Sequence, residues 1–322
     1  MERGTRPIST TSISRPTTRR REVDADGLSW IDLPQPVSAD IAYLRERLRL
    51  DPLALDDALS TIQRPKLDVH DAEEYLFLVV HVPVLDRDQR IVVSEVDIFV
   101  GREFLVTFHD NTMKPLRRLF AAVAGDEAVR KQVMTRGSGF LLYRILDALT
   151  KQSFAITFHV DEHLNRLRSK LFVQEAAKST EQHALLEQDV ITLRRIVQPN
   201  LDVAEQLRHS DLPFLEIDAV RWYGDIADGA AKLNDIASEQ RELLASVGAT
   251  LAVQGVQSQT ATLRTITVAV VTLVPLVVLA AIAALAVAAP PTERLIVFVA
   301  ALLVVAALIG GLLWGGKQQH WF

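Results

Sequence analysis

The sequence predicts an α+β domain that continues through long helices into a C-terminal two-helix transmembrane hairpin. Three observations predict it. The last sixty residues hold two uncharged apolar runs, Thr265–Ala289 and Leu295–Trp314, joined by the polar turn Pro290–Arg294. Segments rich in β-branched and aromatic residues crowd between Tyr75 and His109. After Gly139 apolar residues recur at three- and four-residue spacing, and no proline interrupts Phe214–Arg264.

Composition narrows the function. The 322 residues carry a net charge of -5, and a nucleic-acid partner would call for a basic surface instead. There is no cysteine, which excludes disulfides, thiolate metal sites and thiol nucleophiles. The mean hydropathy of +0.16 is high, and the excess sits at the C-terminal end.

Residues 1–27 read as a disordered basic tail: six arginines among Ser, Thr and Pro up to Arg21, with contact to anionic lipid heads as the alternative. No apolar stretch follows those arginines, so a signal peptide is not expected. Residues 28–138 form a small α/β layer. Ser29–Leu33 alternates like an edge strand, Ile41–Leu48 has helical spacing and Tyr75–Val82 is a buried strand. Ile91–Val100 and Glu103–His109 make a hairpin joined at Gly101-Arg102. No glycine-rich strand-to-helix turn marks a dinucleotide fold.

Residues 139–264 are helical over Phe140–Phe172, Gln174–Val197 and from Phe214 onward, punctuated by Pro199 and Pro213. The simplest expectation is one helix from Phe214 to Ala289, about 75 residues and roughly 110 Å long. A helix of that length needs neighbours, which points to an oligomer. Residues 265–289 and 295–314 are each long enough to cross a hydrocarbon core of about 30 Å. The loop 290–294 is then expected on the extracytoplasmic side. Arg264 and Lys317 mark the same side of the hairpin, the cytoplasmic one, which also holds residues 315–322. Trp314 and Trp321 suit the lipid–water interface.

Asp228, Asp235 and Glu242 are spaced by seven and share one stripe of the long helix, which continues through Ala249, Val256, Leu263 and Val270. In a single copy this is a solvated face that turns apolar on reaching lipid. In a ring of parallel copies it is a set of carboxylate rings above an apolar throat, able to attract cations. A rival signal is His159-Val160-Asp161-Glu162-His163, an H-x-x-E-H string of the kind that binds zinc in inverzincin peptidases. It lacks an identifiable third ligand, and Phe158, Val160 and Leu164 fit packing positions. No Walker loop, G-x-S-x-G or H-E-x-x-H occurs, so the chain is not expected to be an enzyme.

From Gly27 onward the chain resembles the CorA-type divalent-cation transporters, including their zinc-transporting ZntB branch. The matching pieces are Trp30-Ile31-Asp32-Leu33, Asp51-Pro52-Leu53, Arg64-Pro65-Lys66, Tyr75–Val80, Phe104–His109 and Arg221–Asp228, in that order and ahead of the hairpin. The resemblance implies a funnel-shaped homopentamer in the cell membrane, with both termini cytoplasmic and the first spans lining a central pore. It implies Mg²⁺, or Zn²⁺ or Co²⁺, as the transported or regulatory ion. Metal bound between neighbouring cytosolic domains would hold the pore closed, and the matching acids are Asp86 and Asp225.

The pore mouth departs from the family. Its Gly-Met-Asn triplet falls on Ala284-Leu285-Ala286 when Pro275-Leu276 is taken as the shared point. A ring of apolar side chains there cannot ligate Mg²⁺, which gives up its waters reluctantly. The implied pore-facing positions are Thr260, Leu263, Ile266, Val270 and Val274, with Glu293 as an acidic residue outside the mouth. Two functions fit: a divergent divalent-cation transporter, or a non-conducting membrane-anchored metal sensor or regulatory subunit with the same fold.

Overall fold

A computed structural model describes residues 20–59, 63–110, 112–171 and 176–288, with isolated positions at 299, 303 and 306; in parts of 171–178 and 254–288 only the backbone is described. The chain divides into two compact units, residues 1–248 and 249–322.

The first unit is built on a six-stranded sheet. Its strands are β1 (Arg21–Ala25), β2 (Leu28–Pro34), β3 (Lys66–His70), β4 (Tyr75–Leu85), β5 (Ile91–Gly101) and β6 (Phe104–His109), in the order β1-β2-β6-β5-β4-β3. All neighbours are antiparallel except β2 and β6, which run parallel. The expected β5–β6 hairpin turns at Gly101-Arg102. Two sequence expectations are corrected. Ser29–Leu33 is not an edge: every residue of β2 is buried between β1 and β6. The edge is β1, which lies inside the stretch assigned to the disordered tail. Ser29 and Asp32 lie on opposite faces of β2 and each meets polar partners inside the protein rather than water, Ser29 at Glu22 and Asp24 and Asp32 at Thr107 and His109.

Both faces of the sheet are covered. One carries Ile31, Leu33, Phe77, Phe99, Val106 and Phe108 against α1 (Ser38–Arg47) and α2 (Pro52–Asp57). The other carries Trp30, Leu76, Leu78, Val96, Ile98 and Leu105. Against it pack α3 (Lys114–Gly125), α4 (Glu127–Met134), α5 (Ser138–Leu171) and α6 (Ala176–His209), followed by a 3₁₀ turn (Pro213–Leu215) and α7 (Ala219–Ala288). Burying the apolar sides of two helical layers and a sheet supplies the main driving force for this unit.

α6 runs straight through Pro199, which sequence reading took as a boundary. Proline deletes one internal hydrogen bond, but the next residue anchors the helix to the sheet. Asn200 accepts from the His81 N–H at 3.1 Å and donates to the His81 carbonyl at 2.5 Å. Those two groups lie past the end of β3, whose last partner on β4 is Val79, so Asn200 takes the place of a missing strand.

The long helix starts at Ala219, not Phe214. Glu216 takes a left-handed conformation (φ 50°, ψ 40°) that ends the 3₁₀ turn, and Asp218 Oδ1 accepts from the Arg221 N–H at 3.1 Å to cap the new helix. The turn is locked by a close approach: a Cβ at Gly139 would stand 2.7 Å from the Leu215 carbonyl oxygen.

Among the described residues no helix is long and apolar enough to cross a membrane. α7 includes residues 265–288 of the first expected span, with side chains described only in part. Residues 1–19, the loop 290–294 and residues 315–322 lie outside the described residues, as does the second span except at 299, 303 and 306.

Candidate functional site

Within the first unit α7 is two-faced. Tyr223, Ile226, Ala227, Ala230, Leu233, Ala237, Leu244 and Val247 are buried at three- and four-residue spacing. Gln240, 1 % exposed, extends this face by donating to the Thr157 carbonyl at 2.9 Å and to Asp161 Oδ1 at 2.7 Å. Packing therefore directs Asp225, Asp228, Asp235 and Glu242 outward, and all four are exposed. Asp228 reaches Arg208 at the end of α6 (3.5 Å). The acidic stripe is thus present on the free face of the helix.

Asp225 accepts from the Tyr143 hydroxyl at 3.1 Å. Burial, and then the Asp225 carboxylate, push the Tyr143 hydroxyl above its ordinary range. Trp222 closes this corner edge-on against Phe140 and Tyr143, with ring centroids 5.1 and 4.9 Å away. Asp86 is half-buried in the β4–β5 turn, where its Oδ1 accepts from the N–H groups of Asp88 and Arg90, both at 2.9 Å. Asp86 and Asp225 are at opposite ends of the unit. Asp86 closes the hairpin at Leu85↔Ile91, whereas the start of α7 is tied to the other end, at Arg102, through Glu216. One protomer does not bring the two acids together.

In the second unit Ile266, Val270 and Val274 are 55, 52 and 50 % exposed, large apolar side chains open on the protomer surface. Ala284 is also exposed. The side chains of Thr260, Leu263, Leu285 and Ala286, and the whole of Glu293, fall outside the described residues.

His159 and His163 stack obliquely on α5, while Glu162 is exposed and pairs with Arg166 at 3.4 Å. Among the described residues no group of three or more His, Asp or Glu is placed to hold a metal ion.

Sequence reading missed two buried polar clusters. In the first, Asp32 accepts from the Thr107 hydroxyl (2.7 Å) and faces His109 Nε2 (3.0 Å) and the Arg21 guanidinium; Trp30 Nε1 donates to Thr107 (3.2 Å). Burial alone would raise the Asp32 carboxyl, but His109, Thr107 and Arg21 outweigh it and hold it below the ordinary range. In the second, Asp97 is 4 % exposed and its Oδ1 has no hydrogen-bond partner. Beside it, Glu95 stands 3.5 Å from His81. The available signal was two acids at alternate positions inside an otherwise apolar strand.

The family model described as CorA-like Mg²⁺ transporter protein matches residues 25–315. The chain belongs to the CorA-like Mg²⁺ transporter family. Among its CorA-like relatives, a Bacillus subtilis protein that carries the name of a metal ion transporter, YfjQ, is 28 % identical over 218 residues. That match covers 66 % of this chain and 64 % of the relative, so it spans somewhat less than two thirds of YfjQ. The cobalt/magnesium transport protein CorA of Methanocaldococcus jannaschii is 23 % identical over 71 % of each chain. The complete structure of the M. jannaschii CorA magnesium transporter superposes with a TM-score of 0.69 over 92 % of both chains at 19 % identity, a likeness of fold.

Proposed function

We propose that this protein is a divalent metal cation transporter of the CorA type, embedded in a membrane and working as a homopentamer gated by metal on the side of its large polar unit. The observation that carries the reading is α7. One helix joins an outward acidic stripe, Asp228, Asp235 and Glu242, to a run of outward apolar side chains at Ile266, Val270 and Val274. Parallel copies arranged around an axis would convert the first into rings that concentrate cations and the second into a narrow throat that stays dry until it widens.

Asp86 and Asp225, separated within one protomer, suit a regulatory metal shared between neighbours. Each can present a carboxylate oxygen to the outside of its own copy. The pore mouth at Ala284-Leu285-Ala286 offers no side-chain ligand, so hydrated Mg²⁺ would pass by charge attraction at the acidic rings and Glu293 rather than by ligation. The test is flux into liposomes carrying purified protein, for Mg²⁺, Co²⁺, Ni²⁺ and Zn²⁺ down a gradient, begun in metal-free buffer. Flux that is suppressed when metal is added on the side of the large unit fits the proposal. Absence of flux for every ion would overturn transport and leave the sensor function.

A further inference from the structure

We infer that His159 and His163 form a binding site for a borderline divalent ion, of the Zn²⁺, Co²⁺ or Ni²⁺ class rather than Mg²⁺, in the cavity between α5, α6 and the β4–β5 turn. The two rings are one helical turn apart on the same face of α5, with centroids 4.2 Å apart and planes inclined at 60°. That spacing lets two imidazoles reach one ion, as two histidines four residues apart do in helical zinc sites.

The protonation pattern fits. His163 Nδ1 lies 2.8 Å from the His159 carbonyl, which can only accept, so the Nδ1 proton is fixed there and Nε2 keeps its lone pair. Arg166 Nη2, a donor, sits 3.5 Å from that Nε2.

The surroundings supply the rest. Both rings line a cavity of about 230 Å³ together with two acids, Asp88 and Asp189, and three cations, Arg90, Arg166 and Lys170, of which Lys170 is held by Gln182 at 3.1 Å. Asp189 is already committed to the Arg90 guanidinium, at 3.0 and 3.1 Å, and to the Ile91 N–H. Asp88 is exposed in the turn and is the carboxylate free to swing toward the rings. One preset nitrogen, a second imidazole one turn away, a mobile carboxylate and water give moderate affinity, in keeping with the lack of a preassembled three-residue group among the described residues. Imidazole nitrogen selects against Mg²⁺, a hard ion that prefers oxygen. Arg166 must move aside; its side chain is 56 % exposed and already leans on Glu162.

The site would also speak to the turn that holds Asp86, because the Asp88 N–H donates to Asp86 Oδ1. It does not depend on transport. The test is Zn²⁺ and Co²⁺ binding to the full-length protein in detergent, in excess Mg²⁺ to fill the oxygen-only sites. We expect one Zn²⁺ or Co²⁺ per protomer, with Co²⁺ showing the visible absorption of nitrogen ligation. Affinity should fall at least about tenfold in His159→Gln and in His163→Gln. It should persist in the Asp86→Ala, Asp225→Ala double variant. Arg166→Ala, which removes the guanidinium beside His163 Nε2, should bind more tightly. Unchanged affinity in both histidine variants, no gain in Arg166→Ala, or no binding by the wild type would overturn the site.

Discussion

Asp97 and Asp32 lie on opposite faces of the same sheet and titrate in opposite directions. Burial, followed by the charge of Glu95, pushes the Asp97 carboxyl up to about 8. The folded chain therefore keeps a proton that the unfolded chain loses from about pH 4 upward, and stability drains away as pH rises toward 8. Asp97→Asn removes that loss, so it should be more stable than the wild type by roughly 2–5 kcal/mol at pH 8, read as a higher melting temperature, with the gap closing toward pH 5. Asp32 is the reverse case. Its depressed carboxyl contributes stability above the ordinary carboxylate range, and that contribution is lost as pH falls through its folded value. Asp32→Asn takes the carboxylate away from the half-exposed Arg21 guanidinium and the buried His109 ring and should cost about 3 kcal/mol in a denaturant titration at pH 7. The β-branched and aromatic content that marked β4, and the alternation read into Ser29–Leu33, did not reveal either carboxyl as buried, because an acid in a strand usually faces water.

Two helix boundaries depended on single side chains answering backbone groups elsewhere in the fold. α6 passes Pro199 because Asn200 bonds both polar groups of His81 on β4. Asn200→Ala should strand those groups and destabilise the protein by about 1–3 kcal/mol, read as a lower urea midpoint with an unchanged slope. The start of α7 is set by the 3₁₀ turn and its contact with α5. At Gly139 an added Cβ would meet the Leu215 carbonyl at 2.7 Å and Ile217 Cγ2 at 2.9 Å. Gly139→Ala should therefore lower the melting temperature through a cost of about 1–3 kcal/mol, although alanine is the better helix former. Both distances join residues more than seventy positions apart, so local periodicity carried no trace of them.

For the proposed assembly the pair to test is Asp86 and Asp225, which one copy does not bring together. If neighbouring copies share an ion between these acids, changing both to alanine should abolish the protection that metal gives the large unit against protease. Protection unchanged in the double variant would remove them from regulation. The mouth gives a second check at this scale. Converting Ala284-Leu285-Ala286 toward the family triplet, by Ala284→Gly, Leu285→Met and Ala286→Asn together, should raise selectivity for Mg²⁺ over Co²⁺ in liposome flux. An unaltered ratio would mean that the mouth is formed by other residues.

The order of residue types along the chain was enough to indicate the α+β fold of the large unit, the β5–β6 hairpin, the shared stripe of Asp228, Asp235 and Glu242 on α7 and the family. Helix and strand periodicity and the sheer length of apolar runs are local properties, and they survive in one dimension. Only the tertiary structure decided that β2 is internal, that β1 belongs to the sheet, that Asp32 and Asp97 are buried, and that His163 donates from Nδ1 and so frees Nε2. Apart from the β1–β2 pairing and the His163 bond to its own helix, which are local, each depends on what a distant segment places beside the residue, and the energies at stake come from desolvation and pairing, which spacing along a chain does not encode.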